Sequence, residues 1–284
     1  MKALLVALLL AVSPAAFAQP AAVIDGVQMP AWRERAGARV PLTPGMELRA
    51  GDRIITGKDS RALVKLSEGS VVKLGESGTL RIEEMKPSKD LFRAALQVLQ
   101  GAFRFTTEAV AKERKRDVSV AVDQVTIGIR GTDVWGRARG GRQVVCLIEG
   151  AVEVGAPGEA AVTMDQPRQF YQRDKGKTLP VGFVEAKQLE QWAAETDIEA
   201  GKGATRRGGR FSVILLASSE DQELNDLRNR VREAGYPAEI ATRKEADKAV
   251  KIVRIRQLPS RVEALALAGR LKGQFGIQEP RVSP

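Results

Sequence analysis

Histidine is absent from this sequence of 284 residues, and cysteine and tyrosine are scarce, with one and two residues. Without histidine, the chain cannot build a His-dependent hydrolase triad, and it lacks the commonest general base and a frequent zinc ligand. Paired carboxylates could still serve a glycosidase, but no Asp or Glu pair lies in a recognisable cleft motif. We therefore expect a non-enzymatic protein with no catalytic residues, no metal site and no cofactor.

The single cysteine, Cys146, leaves no possibility of an internal disulfide. It lies in the apolar run 144–148, whose composition is typical of a buried strand. Free cysteines are among the most buried residue types. The sequence predicts that Cys146 is a small core residue rather than a reactive thiol.

Long apolar segments are also missing. The run at residues 3–12 would cover roughly 15 Å as a helix, about half the thickness of a bilayer core. It follows Lys2 and precedes Ala16-Phe17-Ala18, which together form the pattern of a secretory signal peptide. We expect residues 1–18 to be removed, the mature protein to be periplasmic, and no membrane span to remain.

Positive charge is in excess, because 45 Lys and Arg face 35 Asp and Glu, a net charge of +10. Removal of Lys2 with the signal peptide leaves about +9. An exported protein of this charge meets peptidoglycan carboxylates, anionic lipids or lipopolysaccharide before it meets nucleic acid. A surface charge that only aids solubility is an equally good interpretation.

Hydrophobic patterning divides the mature chain into a lead-in at 19–38, a β domain at 39–172, an amphipathic helix at 183–200, a linker at 201–209 and a second domain at 210–284. The β domain shows short apolar strands separated by glycines every eight to twelve residues, which indicates an all-β sandwich or roll. The helix should pack back on this domain. The linker has four glycines and no apolar residue larger than Ala204, so we expect it to be flexible.

Four motifs of the β domain occur in a characteristic order: GDRIITG at 51–57, EGSVV at 68–72, IGIRGTDVW at 127–135 and EGAVEV at 149–154. In this combination, the region from about 39 to 155 resembles the FecR domain. The resemblance implies a periplasmic β fold that recognises a protein or another ligand. The family's best-known members relay a signal from an outer-membrane receptor to a sigma factor through a membrane helix, which this sequence lacks, so transmembrane signalling is not carried over.

Arg130, Thr132 and Asp133 are the polar residues of the most distinctive of these motifs. They could form a ligand site or a hydrogen-bonded turn that holds two strands together. We favour the turn, because polar groups between apolar strands need hydrogen-bond partners.

The second domain switches twice between a period of two and a period near 3.6, which predicts the order βαββαβ. Ser219 with Gln222, and Ser260 with Glu263, have the spacing of capping boxes at the two helix starts. Gly235, followed by Tyr236 and Pro237, should end the first helix. The topology implies a four-stranded antiparallel sheet with both helices on one face.

Three stretches of this domain resemble the SPOR domain, a peptidoglycan-binding module of bacterial envelope and cell-division proteins. They are FSVIL at 211–215, AGYPA at 234–238 and SRVEA at 260–264. The chain departs from the family at Ile214, where a Gln is usual, at 216–218, where a Gly-Ser-aromatic run is usual, and at Arg256-Gln257, where Gly-Pro is usual. The fold class is therefore multi-domain: an all-β FecR-like sandwich followed by an α+β SPOR domain.

Strand alternation places Phe211, Val213, Leu215, Val253 and Ile255 towards the helices and leaves five residues on the open face of the sheet. These candidate glycan-binding residues are Ser212, Ile214, Leu216, Arg254 and Arg256. Aliphatic and guanidinium groups can meet the C–H faces, hydroxyls and carboxylates of a glycan strand, and in the SPOR family this face binds strands stripped of stem peptides. Alternatively, the β domain or the linker covers Ile214 and Leu216. RNA-binding domains share the topology, but they stack bases on aromatic residues that these two strands lack.

Three functional hypotheses follow. In the first, the SPOR domain binds peptidoglycan glycan strands and tethers the FecR-like domain to the cell wall. In the second, the protein is a signalling or sensory adaptor whose FecR-like domain binds an envelope protein. The third, a wall hydrolase, is the weakest. We expect neither nucleic acid nor a membrane as a partner.

Overall fold

The computed structural model of the protein describes residues 20–88, 90–107, 115–129, 131–245 and 248–284. These ranges form an N-terminal β-sandwich, a short helix on its surface and a C-terminal α+β domain. This confirms the predicted fold class. The predicted signal peptide at 1–18 lies outside the described residues.

The elements of the N-terminal part are almost all strands. They are β1 (Ala22–Gln28), β2 (Ala31–Arg35), β3 (Ala38–Pro41), β4 (Glu47–Leu48), β5 (Arg53–Thr56), β6 (Arg61–Leu66), β7 (Val71–Leu74), β8 (Thr79–Pro87), β9 (Leu91–Thr106), β10 (Lys115–Val122), β11 (Val125–Ile129), β12 (Asp133–Arg139), β13 (Arg142–Glu149), β14 (Val152–Gly155), β15 (Val162–Met164), β16 (Gln169–Asp174), β17 (Lys177–Phe183), α1 (Ala186–Ala194) and β18 (Thr205–Arg206). The C-terminal domain consists of β19 (Phe211–Ser218), α2 (Asp221–Glu233), β20 (Glu239–Glu245), β21 (Lys248–Leu258), α3 (Arg261–Leu271) and β22 (Arg281–Ser283).

Two sheets make up the sandwich. Sheet A has the order β18-β1-β6-β7-β9-β12-β13-β16-β17, and β4 also pairs with the start of β1. Sheet B has the order β3-β2-β5-β8-β9-β10-β11-β14-β15. The β9–β10 pair is parallel and the other pairs named here are antiparallel.

The long strand β9 belongs to both sheets. Its first part pairs with β8 and β10 in sheet B, and residues 103–106 pair with β7 in sheet A. The change of sheet occurs at Gly101, whose φ of +89° is strained for other residues. A Cβ at this position would lie 2.6 Å from Cα of Gly78, so the kink also depends on close backbone contact.

Alternate residues of both sheets point inward and form the sandwich core. Its largest fully buried members include Phe92, Phe103, Phe105 and Tyr171. The same hydrophobic cluster continues into the C-terminal domain through residues such as Tyr236. The two domains therefore share one continuous apolar interior.

The β-sandwich extends beyond the predicted limits of 39–172. Residues 22–35, predicted as a lead-in, form β1 and β2, and β17 continues sheet A to Phe183. A register shift between Ile24 and Gly26 breaks the alternation of β1, which hides the strand from a pattern of period two.

Helix α1 packs on the outer face of sheet A. It is shorter than the helix predicted for 183–200, because it spans only Ala186–Ala194 and residue 183 ends β17. Trp192 stacks on Trp135 with ring centroids 4.8 Å apart, and Phe170 meets the edge of Trp192. Cys146 is fully buried in the same cluster, as predicted, and burial raises the pKa of its thiol to about 12. The cysteine is therefore inert in the folded protein.

The C-terminal domain forms sheet C, with the order β20-β21-β19-β22. The buried face of α2 consists of Leu224, Leu227 and Val231. As predicted, the helix ends before Gly235, whose φ is +87°. The capping box of Ser219 and Gln222 is wrong, because α2 begins at Asp221 and its N-cap residue makes no side-chain capping bond.

The segment at 201–209, predicted as a flexible linker, is instead a hydrogen-bonded connector. Residues 205 and 206 pair with β1, and Thr205 is fully buried. On the other side, the carboxylate of Glu263 accepts the amides of Gly201, Gly203 and Ala204 at 2.6, 2.6 and 3.0 Å. Ser260 caps α3 as predicted, but Glu263 uses its side chain on the connector.

Candidate functional site

The outer face of sheet C, turned away from α2 and α3, is the surface that carries the predicted site. Val213, Val253 and Ile255 belong to the hydrophobic cluster beneath the helices. Ile214 alternates with them and is absent from both clusters formed by the described residues. The two faces of the sheet are therefore chemically distinct.

Ile214 lies between two arginines on this outer face. It is directly opposite Arg254 on one neighbouring strand and Arg281 on the other. Residues opposite each other in an antiparallel pair point to the same face. Ile214 is only 8% exposed, as is Ser212, so the apolar part of the surface lies low between longer side chains.

Leu216 does not belong to the outer face, so that part of the prediction is wrong. A β-bulge between Ile214 and Leu216 places Leu216 opposite Val253, and Leu216 packs against the main hydrophobic cluster. An extra residue in one strand reverses the alternation that follows it. The outer face beyond the bulge instead shows Ala217, which is opposite Ile252.

Arg254 and Arg256 share one acidic partner. Arg254 donates to Glu239 Oε1 at 2.9 Å, and Arg256 lies 3.2 Å from Oε2 of the same carboxylate. The side chains of the two arginines are 34% and 53% exposed, so these ion pairs are screened by water. Because two guanidinium groups share one carboxylate, positive charge remains available at this end of the sheet.

Beside these residues lies a cleft of about 600 Å³ that the sequence did not predict. It opens where β22 leaves β19, since the two strands pair only at residues 212–214 in the described ranges. Its lining includes Ile214, Arg243, Ile252 and Arg281, and also Leu216 and, from the helix side, Leu227 and Phe275. Arg243 donates to the hydroxyl of Ser283 at 3.3 Å, which links β20 to β22 across the outer face.

A signal for these additional residues exists in the sequence. Ile252 alternates with Arg254 along β21, and Arg243 lies two residues after Ala241, which is opposite Ile252. The period of two would have placed Arg243 and Ile252 on the outer face if the pairing register had been known. Arg281 could be assigned only from the observed position of β22.

In the β-sandwich, Thr132 and Asp133 hold strands together, as the favoured interpretation requires. Asp133 accepts a bidentate pair of bonds from Arg104 at 2.9 and 2.6 Å. The Thr132 carbonyl accepts the Thr107 amide at 3.0 Å. Arg104 has its pKa raised by the hydrogen bond to Asp133. Arg130 lies outside the described residues.

Two further observations concern the described ranges as a whole. They contain no group of three or more His, Cys, Asp or Glu side chains placed to hold a metal ion. None of their helices combines the length and the apolar content that crossing a membrane requires.

Comparison with known families confirms both resemblances. The model of the FecR protein family matches residues 52–153, and the SPOR domain model matches residues 208–279. SPOR domains bind peptidoglycan, and both families are non-catalytic binding or signalling domains typical of periplasmic and envelope proteins. No curated protein matches the chain significantly.

Two solved structures are similar to this chain, both of a candidate anti-sigma factor from Parabacteroides distasonis. The first has 16% sequence identity and a TM-score of 0.42, with 70% of this chain and 97% of that chain covered. The second has 16% identity and a TM-score of 0.41, with 69% and 96% covered.

Proposed function

We propose that this chain, which carries a FecR domain followed by a SPOR domain, is a non-enzymatic periplasmic protein that binds the glycan strands of peptidoglycan. The outer face of sheet C is the proposed binding surface, and it tethers the FecR domain to the cell wall. The observation that supports this most strongly is the position of Ile214 between Arg254 and Arg281, next to an open cleft.

The chemistry of a glycan strand suits this surface. Guanidinium groups donate several hydrogen bonds in one plane, which fits hydroxyls and the carboxylates of lactyl groups. Ile214 and Ile252, which are 8% and 2% exposed, would offer aliphatic surface for the C–H faces of the sugar rings once uncovered. Contact with them requires the flanking arginine side chains to rotate aside, which long exposed side chains do readily.

Of the five residues predicted from the sequence, four remain in this proposal: Ser212, Ile214, Arg254 and Arg256. Arg243, Ile252 and Arg281 join them. Ser212 is mostly buried and lies opposite Ser283 on the edge strand. We assign it a role in shaping the surface rather than a main contact.

The test is co-sedimentation of the mature full-length chain with purified sacculi, before and after amidase treatment that removes stem peptides. We expect enrichment on the stripped material. Equal binding to both, lost in moderate salt, would show simple charge attraction and contradict the proposal. Release of reducing sugar by the protein would contradict a non-enzymatic role.

Substitution of two arginines makes the test specific to the surface. Arg254→Gln and Arg281→Gln each remove charge-assisted hydrogen bonds, so we expect each to weaken binding about tenfold. Arg228→Gln is the matched control, because Arg228 lies on exposed α2 and contacts only Asn229 through the bonds described. Equal losses in all three variants would again indicate charge alone.

A second function is favoured by the FecR match at residues 52–153. In this alternative, the protein is a sensory adaptor whose β-sandwich binds an envelope protein, and wall binding is secondary. Retention of the partner by the Arg254→Gln/Arg281→Gln double variant in cross-linked envelopes would support it.

A further inference from the structure

The outer face of sheet A carries a row of basic side chains beside α1. Arg61 begins β6, Lys73 lies on β7, and Arg137 and Arg139 lie on β12. Arg137 also lies over the ring of Trp135, 5.3 Å from its centroid. Positive charge is thus concentrated on one face of sheet A, in a different domain from the residues proposed to bind glycan.

The chain that follows α1 crosses this row and neutralises most of it. Three acidic residues alternate along the segment and each meets one basic residue: Glu195 with Arg137 at 2.9 Å, Asp197 with Lys73 at 2.6 Å and Glu199 with Arg61 at 3.5 Å. Arg139 is the exception, because its side chain makes no ion pair or hydrogen bond with any residue that the structure describes. One guanidinium group is therefore unmatched.

Arg61 is incompletely satisfied although it is nearly buried. Its side chain is 10% exposed, and it donates to the Ser60 carbonyl at 2.9 Å and, at the long distance of 3.5 Å, to Glu199. Its buried Nε has no hydrogen-bond partner among the described residues. Because this Nε has almost no accessible surface, a ligand cannot reach it. The donor of Arg61 left for a ligand is Nη2, whose bond to Glu199 is long.

Arg61 and Arg139 line one recess of about 460 Å³, together with the ion pair of Arg137 and Glu195. This volume is within the range of about 300–1,000 Å³ typical of small-molecule sites. The backbone of Gly101, at the kink of β9, forms part of its wall, and Gln100 and Ser77 add neutral hydrogen-bonding groups. We call this site the arginine recess. Its walls come from three strands, the turn between β7 and β8, and Glu195 after α1.

Of the two carboxylates that line the recess, Glu195 is paired with Arg137, and Glu76 forms no ion pair with a residue that the structure describes. Glu76 lines the recess, and its Oε2 accepts the Asp59 amide at 2.8 Å, which leaves Oε1 for another donor. A polyanion would be repelled by this group, whereas a ligand with both charges would meet a guanidinium at one end and a carboxylate at the other. We propose that the arginine recess binds a small zwitterion, either an amino acid or a short peptide.

In the proposed complex, the ligand carboxylate lies between Arg61 and Arg139, where planar guanidinium groups can donate paired bonds. The ligand ammonium faces Glu76. The recess and the outer face of sheet C are lined by different residues, so a ligand of one does not occupy the other.

The test uses alanyl-alanine as the probe, titrated into the ¹⁵N-labelled full-length mature protein. We expect amide shifts at Gly101, Ala102 and Arg139 with a dissociation constant of about 1 mM or tighter. Arg139→Gln should weaken binding about tenfold, since it removes the unmatched guanidinium. Arg49→Gln, an equal charge change at an exposed loop residue paired only with Glu47 among the described ion pairs, should have no effect.

Blocked probes separate a zwitterion site from a simple anion site. N-acetyl-alanyl-alanine lacks the ammonium group and alanyl-alanine amide lacks the carboxylate, so both should bind more weakly than the unblocked dipeptide. Glu76→Gln should reduce affinity for the dipeptide and not for its N-acetyl form. The proposal is overturned if the dipeptide causes no shifts, if Arg139→Gln leaves its affinity unchanged, or if inorganic phosphate or the N-acetyl form binds equally well.

Discussion

Sheet A and sheet C both carry apolar side chains on their outer faces, but these side chains are covered differently. On sheet A, Trp135 and Cys146 lie beneath α1 and are fully buried in a hydrophobic cluster. On sheet C, Ile214 and Ile252 lie outside both clusters of the described residues. Ile214 has Arg254 and Arg281 as cross-strand neighbours, whereas Ile252 is opposite two alanines. The outer face of sheet A, covered by α1, stabilises the fold. On the outer face of sheet C, we expect movement of arginine side chains alone to expose Ile214.

The difference teaches where to look for function on a two-faced sheet. A helix that supplies a tryptophan stack must undock for a ligand to reach the residues below it, which costs the burial of both rings. Arginine side chains can rotate at little cost and then donate to the ligand themselves. The first two of the four predictions below test this contrast directly, with a large change on sheet A and its small counterpart on sheet C. The other two, on the connector and on an ion pair, have intermediate and small expected effects.

Removing the cover of sheet A should have the largest effect. Trp192→Ala deletes the ring stacked on Trp135, and we expect a loss of about 3 kcal/mol in the free energy of unfolding, at the lower end for tryptophan because Trp192 is half-buried. Urea denaturation measures this loss. A thiol reagent should also reach Cys146 in the native state of the variant and not of the wild type.

The matching change on sheet C is Arg281→Gln, which should leave the free energy of unfolding within about 0.5 kcal/mol of wild type. A destabilisation as large as that of Trp192→Ala would erase the contrast. It would show that the arginines are part of the domain's core rather than a movable cover.

The second-largest loss in the free energy of unfolding is expected at the connector between the domains. Glu263→Ala leaves the amides of Gly203 and Ala204 buried without their acceptor, so we expect a loss of about 2 kcal/mol. Glu263→Gln keeps one acceptor oxygen and should lose about half as much. Hydrogen exchange at residues 201–204 is the direct measurement. Equal protection in all three proteins would contradict the role of Glu263.

The ion pair between Glu159, in the loop before β15, and Arg173 of β16 should give the smallest effect. Hydrogen bonds from Thr178 and Arg173 lower the pKa of Glu159 below its ordinary 4.5. Because the folded pKa is depressed, the associated stability is present above pH 4.5 and is lost as pH falls through the lowered pKa. Glu159→Gln should therefore melt slightly earlier than wild type at pH 7, and the two curves should converge in acid. A constant difference down to low pH would exclude this linkage.

The fold could be predicted in large part because its patterns are local. Period-two alternation in β19 and β21, buried positions three and four residues apart in α2, and the Gly235 stop are all readable within a few residues. The start of α2 was harder to predict from the sequence. Ser219 and Gln222 have the spacing of a capping box, but the helix begins at Asp221 without a side-chain cap. The short strand of the connector was missed because its composition is that of a linker, while its order comes from contacts about 60 residues away.

The candidate site was predictable only up to the bulge of β19. Alternation places Ile214 on the face turned away from the helices, as the structure does. One extra residue in β19 then turns Leu216 towards the helices. Arg243 and Arg281 lie on strands whose pairing register determines their positions, and register depends on turns and edges rather than on a single strand's sequence. Their role in glycan binding, like that of Arg254 and Arg256, stays a prediction until the substitutions are measured.

The bond between Glu263 and residues 201–204 has a mechanical consequence. If the SPOR domain binds a glycan strand, a force on that strand is transmitted through the paired backbone of β18 and β1 to the β-sandwich. A flexible linker would not transmit it in this way. The orientation of the N-terminal half relative to the murein layer would then be set by the protein itself, so that its arginine recess faces a constant direction.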